Sequence, residues 1–208
     1  KKEMRGSSLL IETSVLYYKY NTATQHIKNN ALNYIKDKKG MESCINNIGV
    51  IYAMKGDYDS SILSFQNNLK LNKELKSPEG EATANNNLGL VYYYKGDYPK
   101  SVEHYMKSLE IYDKKDDSSG KASAYNNLGL IYENKEDFRK ALYYQKLALK
   151  MRLELNKAHE IAYSYGNIGN IYYLKEQNDS ALIYFLKAEK LFKEVEDIHS
   201  LGTLAGNV

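Results

Sequence analysis

Four histidines (His26, His104, His159 and His199) and one cysteine, Cys44, are the residues of this 208-residue chain best suited to metal binding or nucleophilic chemistry. None of the histidines has the spacing of metal ligands, and each is expected at a surface or boundary position. A single cysteine excludes an internal disulfide and a zinc site built from thiolates. Cys44 falls near a packing position of a helix, so a small buried hydrophobe is expected there rather than a reactive thiol. Gly120-Lys121 matches the end of a phosphate-binding loop, but position 115, where the loop needs a glycine, is a lysine, and no strand precedes it. Gly166-Asn167-Ile168-Gly169 lies inside a repeated segment and is no nucleotide fingerprint. Asn178-Asp179-Ser180 is a glycosylation sequon placed at an inter-helix turn, relevant only in a eukaryotic secretory setting. Nothing here assembles acid–base or nucleophilic catalysis, so a non-enzymatic chain with no cofactor and no metal is expected.

Asparagine carries the informative spacing. Asn47, Asn87, Asn127, Asn167 and Asn207 recur at a constant step of 40. A side-chain amide both donates and accepts hydrogen bonds. A ladder of amides can pair with the backbone of an extended peptide, register after register. It can equally bond the backbone of a neighbouring repeat, and the two readings stand open.

The column belongs to a longer repeated unit. Asn47-Ile48-Gly49-Val50-Ile51-Tyr52 returns as Asn87-Leu88-Gly89-Leu90-Val91-Tyr92, as Asn127-Leu128-Gly129-Leu130-Ile131-Tyr132, and as Asn167-Ile168-Gly169-Asn170-Ile171-Tyr172. Lys55, Lys95, Lys135 and Lys175 keep the step, as do the small residues Ser61, Ser101, Ala141 and Ala181. Within a copy the period is helical: Ala84, Leu88, Val91 and Tyr92 share one helix face. Gly96 suits the left-handed residue that ends a helix, Asp97 an N-cap, and Pro99 the first turn of the next helix. Val102, Tyr105, Met106, Leu109 and Tyr112 form the second apolar stripe. Each copy is thus helix, tight turn, helix, then a short connection through Ser77-Pro78 or Asp117-Ser118-Ser119-Gly120. Glycine in mid-helix costs about 1 kcal/mol against alanine. Its recurrence at 49, 89, 129 and 169 implies a helix approaching too closely for a Cβ, with the small-residue column facing it. Tyr52, Tyr92, Tyr132 and Tyr172 would fill the gap between helix pairs, and the lysine column would cap the first helix.

The pattern Leu-Gly-x-x-Tyr, then Gly-Asp-Tyr, then a small residue and an aromatic resembles the tetratricopeptide repeat, best seen at Asn127-Leu128-Gly129, Tyr132, Ala141 and Ala148. The step of 40 and the Asn-Asn-Leu-Gly opening are more similar to the long subclass found in LGN/Pins and kinesin light chain, and to repeats in bacterial signalling proteins. The resemblance implies an all-α, right-handed solenoid of antiparallel helix pairs. It divides the chain into a degenerate first repeat or N-terminal cap over 1–40, repeats over 41–80, 81–120, 121–160 and 161–198, and the start of a further repeat over 199–208. A chain that stops inside a helix and opens on Lys1 is expected to be a piece of a longer protein. The copy with Glu176-Gln177-Asn178 departs from Gly-Asp-Tyr, and no copy ends in the usual proline.

Such a solenoid lines an inner groove with its first helices. Helical geometry leaves Asn46, Asn47, Val50 and Met54 of the first full copy on that side, and Asn86, Asn87, Leu90, Tyr93 and Tyr94 of the second. Asn126, Asn127, Leu130, Glu133 and Asn134 come next, then Tyr163, Asn167, Asn170 and Tyr173. Relatives that clamp acidic C-terminal tails place lysine or arginine where this chain has Asn46, Asn86, Asn126, Val50, Leu90 and Leu130. An acidic tail is therefore not the expected ligand, whereas a peptide or amphipathic helix suits the tyrosines and aliphatics.

A net charge of +3 spread along the chain is not the basic footprint of a nucleic-acid binder, and no apolar run is long enough to span a bilayer. No binding of nucleic acid or membrane is expected of this segment. Only two prolines fit long helices, and 21 tyrosines with three arginines fit the base composition of an AT-rich gene. One cysteine suits the cytoplasm, which is favoured, and equally a disulfide-free periplasmic segment. The expected function is a protein–protein interaction module, a sensory or regulatory fragment of a larger bacterial signalling protein. The alternative is a scaffold that self-associates as a homo-oligomer.

Overall fold

A computed structural model describes residues 38–197. The expected cap over 1–40, save its last residues, lies outside the described residues, as do His26, His199, Asn207 and the repeat expected from 199.

Eight α-helices succeed one another among the described residues, with no strand between them: α1 Lys38–Met54, α2 Tyr58–Glu74, α3 Pro78–Tyr94, α4 Tyr98–Lys114, α5 Ser118–Asn134, α6 Phe138–Glu154, α7 Ala158–Leu174 and α8 Asn178–Glu194. All have the same length, and their starts keep a constant step of 20, half the sequence repeat. The chain divides into two compact units, Lys1–Cys44 and Ile45–Val208; the boundary falls inside α1, and α2 to α8 belong wholly to the second. The fold is the all-α solenoid of antiparallel pairs.

The connections correct one expectation. The joint between pairs is the same as the joint within a pair. Gly56, Lys76, Gly96, Asp116, Glu136, Asn156, Glu176 and Glu196 each take a positive φ, one after every helix. The next residue sends its N–H back into the last helical turn, as Asp97 does to the Tyr92 carbonyl (2.9 Å) and Asp117 to the Tyr112 carbonyl (2.9 Å), closing a Schellman turn. That residue also caps the next helix: Asp57, Ser77, Asp97, Asp117 and Asp137 each accept a backbone N–H of the first turn. Ser77-Pro78 and Asp117–Gly120 are therefore N-caps and first helical turns rather than linkers.

The recurring columns meet in a defined way. Ser61 and Ser101 donate their hydroxyls to the Gly49 and Gly89 carbonyls at 2.8 and 2.6 Å. What excludes a Cβ, however, is a larger side chain one turn further along the following helix. A methyl on Gly49 would meet the Phe65 ring at 2.7 Å, on Gly89 the Tyr105 ring at 3.0 Å, on Gly129 the Gln145 amide at 2.7 Å, and on Gly169 the Phe185 ring at 2.7 Å. Three tyrosines of the column stack on a ring of the following helix: Tyr92 on His104, Tyr132 on Tyr144 and Tyr172 on Tyr184, all at 5.4 Å between centroids. Lys100 and Lys140 lie over the Tyr92 and Tyr132 rings at 5.2 and 5.0 Å, and Lys175 over Tyr172 at 5.8 Å. Lys95, Lys135 and Lys175 are the C-caps of α3, α5 and α7.

Three of the four core clusters join neighbouring pairs. Ile62 and Phe65 of α2 meet Leu88, Val91 and Tyr92 of α3. Tyr105 and Leu109 of α4 meet Ala124, Leu128 and Ile131 of α5, and Ala141 and Leu142 of α6 meet Ile168 and Ile171 of α7. The fourth cluster lies within one pair, Ala162 of α7 against Ala181, Phe185, Ala188 and Phe192 of α8. Cys44 departs from its expected burial and is exposed. Its equivalent Ala124 is buried against Tyr105 and Leu109 of the preceding pair.

Candidate peptide-binding groove

The expected groove residues lie on α1, α3, α5 and α7. The structure gathers Val50, Met54, Asn87, Leu90 and Tyr94 around one hollow of 320 Å³, closed by Ala53 and Val91 and by Tyr58 and Phe65 of α2. The hollow has no charged lining residue. Met54 is 83% and Tyr94 58% exposed. Farther along, Glu133 and Asn134 line a second hollow of 470 Å³ with Glu136, Phe138 and Leu174. Tyr58 and Phe138, from the first residues of the second helices, went unmarked in the sequence. They enter because the short joint brings each helix start beside the end of the helix before it.

The amides form rungs from one repeat to the next. Asn87 donates to Asn46 Oδ1 at 2.9 Å, and Asn167 donates to Asn126 Oδ1 at 3.0 Å. Asn134 donates to the Tyr93 hydroxyl at 2.8 Å, and Asn170 to Glu133 Oε1 at 2.7 Å. These bonds are the sum of the helical face and the repeat step, which set the partners opposite each other across neighbouring first helices. Asn87 and Asn167 of the column thus bond side chain to side chain, a third arrangement beside the two left open. Capacity remains on it: Asn47 is exposed, and Asn127 is half-buried. Asn86 keeps a buried Oδ1 with no hydrogen-bond partner. Leu130 is half-buried, and its carbonyl accepts from Asn134. Tyr173 stands exposed on α7, while Tyr163 sets its ring edge-on against Phe192 of α8 at 5.1 Å and His159 at 4.9 Å.

Behind the rungs lies a polar group that the sequence did not mark. Arg152 is 8% exposed, and its Nη1 donates to Ser164 Oγ (2.6 Å), the Glu160 carbonyl (3.3 Å) and Asn126 Oδ1 (3.4 Å). Glu160 is its ion partner at 3.6 Å. Burial pulls the guanidinium below its ordinary pKa, yet it stays charged. Gln145 donates to the Asn126 carbonyl at 3.1 Å. Asn126 Oδ1 therefore accepts from both Arg152 and Asn167, which fixes its amide with the NH₂ end toward Asn127. The signal was present: equivalent positions hold Asn72, Tyr112 and Phe192, and a lone arginine breaks that column.

Burial pushes the Glu133 carboxyl above its usual range, offset in part by the Asn170 bond. It pushes the Tyr93 hydroxyl up as well and holds the His104 imidazole below its usual value. Glu133 Oε2 is buried and has no hydrogen-bond partner. Among the described residues no group of three or more His, Cys, Asp and Glu is placed to hold a metal, and no helix is long and apolar enough to cross a membrane.

Stacked helix pairs with an inner face of amides, tyrosines and aliphatics define a helical-repeat interaction scaffold. A tetratricopeptide-repeat model matches residues 41–114, 80–154 and 120–194, and the chain belongs to that family. It is a protein-interaction module, built on a fold that is generally non-catalytic. Among curated proteins no sequence matches. Solved structures share the fold at low identity. BtubC (BKLC) from P. vanneervenii is 19% identical with a TM-score of 0.75, over 86% of this chain and 75% of that one. Aspartyl phosphate phosphatase F from Bacillus subtilis is 16% identical with a TM-score of 0.79, over 84% of this chain and 46% of that one. A signal transduction ATPase with numerous domains and a tetratricopeptide repeat sensor, from Pyrococcus horikoshii, is 17% identical with a TM-score of 0.77, over 92% of this chain and 30% of that one.

Proposed function

We propose that this chain binds a peptide or short helix of a protein partner along the inner groove, as the sensory or regulatory segment of a larger bacterial signalling protein. One observation carries the reading. Val50, Met54, Tyr94, Tyr173 and Leu174 are large apolar side chains left exposed on the first helices α1, α3 and α7, beside amides with unspent hydrogen-bonding capacity. A water-facing surface rarely strings such residues together without a partner. The sensor named in the Pyrococcus protein supports the regulatory half of the reading.

The test is selection of displayed twelve-residue peptides on the immobilised chain, with Tyr94→Ala/Leu174→Ala as the comparison. Both residues are exposed, so stability should change by less than about 1 kcal/mol. Selected peptides are expected to bind the double variant at least tenfold more weakly. Equal binding to both proteins would overturn the groove reading.

Self-association is the second reading: the uncharged, apolar hollow between α1 and α3 would be filled by the terminus of another copy. Sedimentation over a hundredfold concentration range checks it; a monomer throughout counts against it.

A further inference from the structure

We propose that the groove selects a peptide carrying a lysine or arginine side chain, received by Glu133 in the hollow between α5 and α7. This selection rests on the groove being the binding face and adds the chemistry of the bound residue.

Among the groove positions named above Glu133 is the one charged residue. Its Oε1 is taken by Asn170 at 2.7 Å, while Oε2 is buried without a hydrogen-bond partner. No lysine or arginine among the described residues pairs with it, and its carboxyl titrates under burial and the Asn170 bond alone. A carboxylate withdrawn from water with half its acceptors unused is unfavourable unless a donor arrives, and a cationic donor offsets the most. The hollow beside it reinforces the sign. Its lining includes a second carboxylate, Glu136, and no basic side chain. Phe138 and Leu174 supply apolar walls on which an aliphatic stem can lie while its charged end reaches the carboxylate.

The other hollow takes a different residue. Between α1 and α3 the lining is Val50, Met54, Leu90, Tyr94 and their neighbours, with no charge, and fits an apolar side chain. The two hollows stand two first-helix spacings apart, about 20 Å. An extended chain covers that in about six residues. The preferred segment therefore holds an apolar and a basic residue about six positions apart.

Peptide display on the wild-type chain, on Glu133→Gln and on Glu133→Lys tests this, with circular dichroism melting of each variant to confirm folding. Glutamine can still accept from Asn170 and removes only the charge. Expected are enrichment of lysine or arginine at one position on wild type, its loss on Glu133→Gln, and enrichment of aspartate or glutamate on Glu133→Lys. A wild-type-selected peptide should bind Glu133→Gln at least tenfold more weakly by fluorescence polarisation. Peptides that bind without a basic preference, or bind Glu133→Gln equally, overturn the selection. If those peptides still bind the Tyr94→Ala/Leu174→Ala protein more weakly, the groove reading survives that failure. Absence of any enriched peptide overturns both.

Discussion

Glu136 adopts φ +57° at the C′ position of α5, where Gly56 and Gly96 serve the earlier helices. A left-handed conformation costs an L-residue roughly 1 kcal/mol, which glycine avoids. Glu136→Gly is expected to stabilise the protein by about 0.5–1 kcal/mol in urea unfolding. An unchanged midpoint would show that other contacts of Glu136 offset the strain. Glu133 gives a pH-dependent prediction. Burial raises its folded pKa above the unfolded value, so the native state binds the proton more tightly. Its contribution is thus fully present below the unfolded pKa and is lost as pH rises through the raised folded one. Glu133→Gln should therefore be more stable than wild type at neutral pH, with the gap closing as pH falls below the ordinary glutamate range. A pH-independent difference would assign the effect to packing. The residue types at both positions were plain in the sequence, but neither the positive φ nor the unpaired oxygen was. Only the path of the chain and the neighbours across a groove create them.

At the scale of elements, the helix boundaries follow from local chemistry. Asp57, Ser77, Asp97, Asp117 and Asp137 cap their helices through side chains, while Lys157 and Gln177 make no side-chain cap bond. Gln177→Asp should restore the missing cap of α8 and add about 1 kcal/mol, read as a higher melting temperature. No gain would mean that the first turn of α8 satisfies its N–H groups with water. Helix spacing was legible because caps and glycines punctuate the repeat. The finer step, half as long, was hidden, since first and second helices share joint geometry but not residues: glycine, lysine, aspartate, glutamate and asparagine all fill the same left-handed position.

At the scale of the molecule, a solenoid is coupled neighbour to neighbour. Gly169→Ala would press a methyl into the Phe185 ring at 2.7 Å and toward the Ala181 carbonyl at 3.3 Å. Overpacking of about 1–3 kcal/mol outweighs the roughly 1 kcal/mol gained in helix propensity. Because coupling passes from neighbour to neighbour, the damage between α7 and α8 should be felt mainly there. Hydrogen exchange is expected to quicken across 158–194 and stay unchanged across 98–114. Uniform acceleration would show that the stack opens as one unit.

The repeat, its helices and the recurring packing columns were legible in the order of the residues alone. These depend on period and propensity, which are local and are written many times over. Tertiary structure alone decided what the columns touch. Gly49 and its equivalents make room for a ring or amide of the following helix rather than for a facing small residue. The asparagines bond each other across repeats, Arg152 reaches Asn126 from behind, and Glu133 is left with one unpaired oxygen. Each of those outcomes depends on distances between residues that lie on different helices. No spacing rule reports such distances until the helices have been stacked.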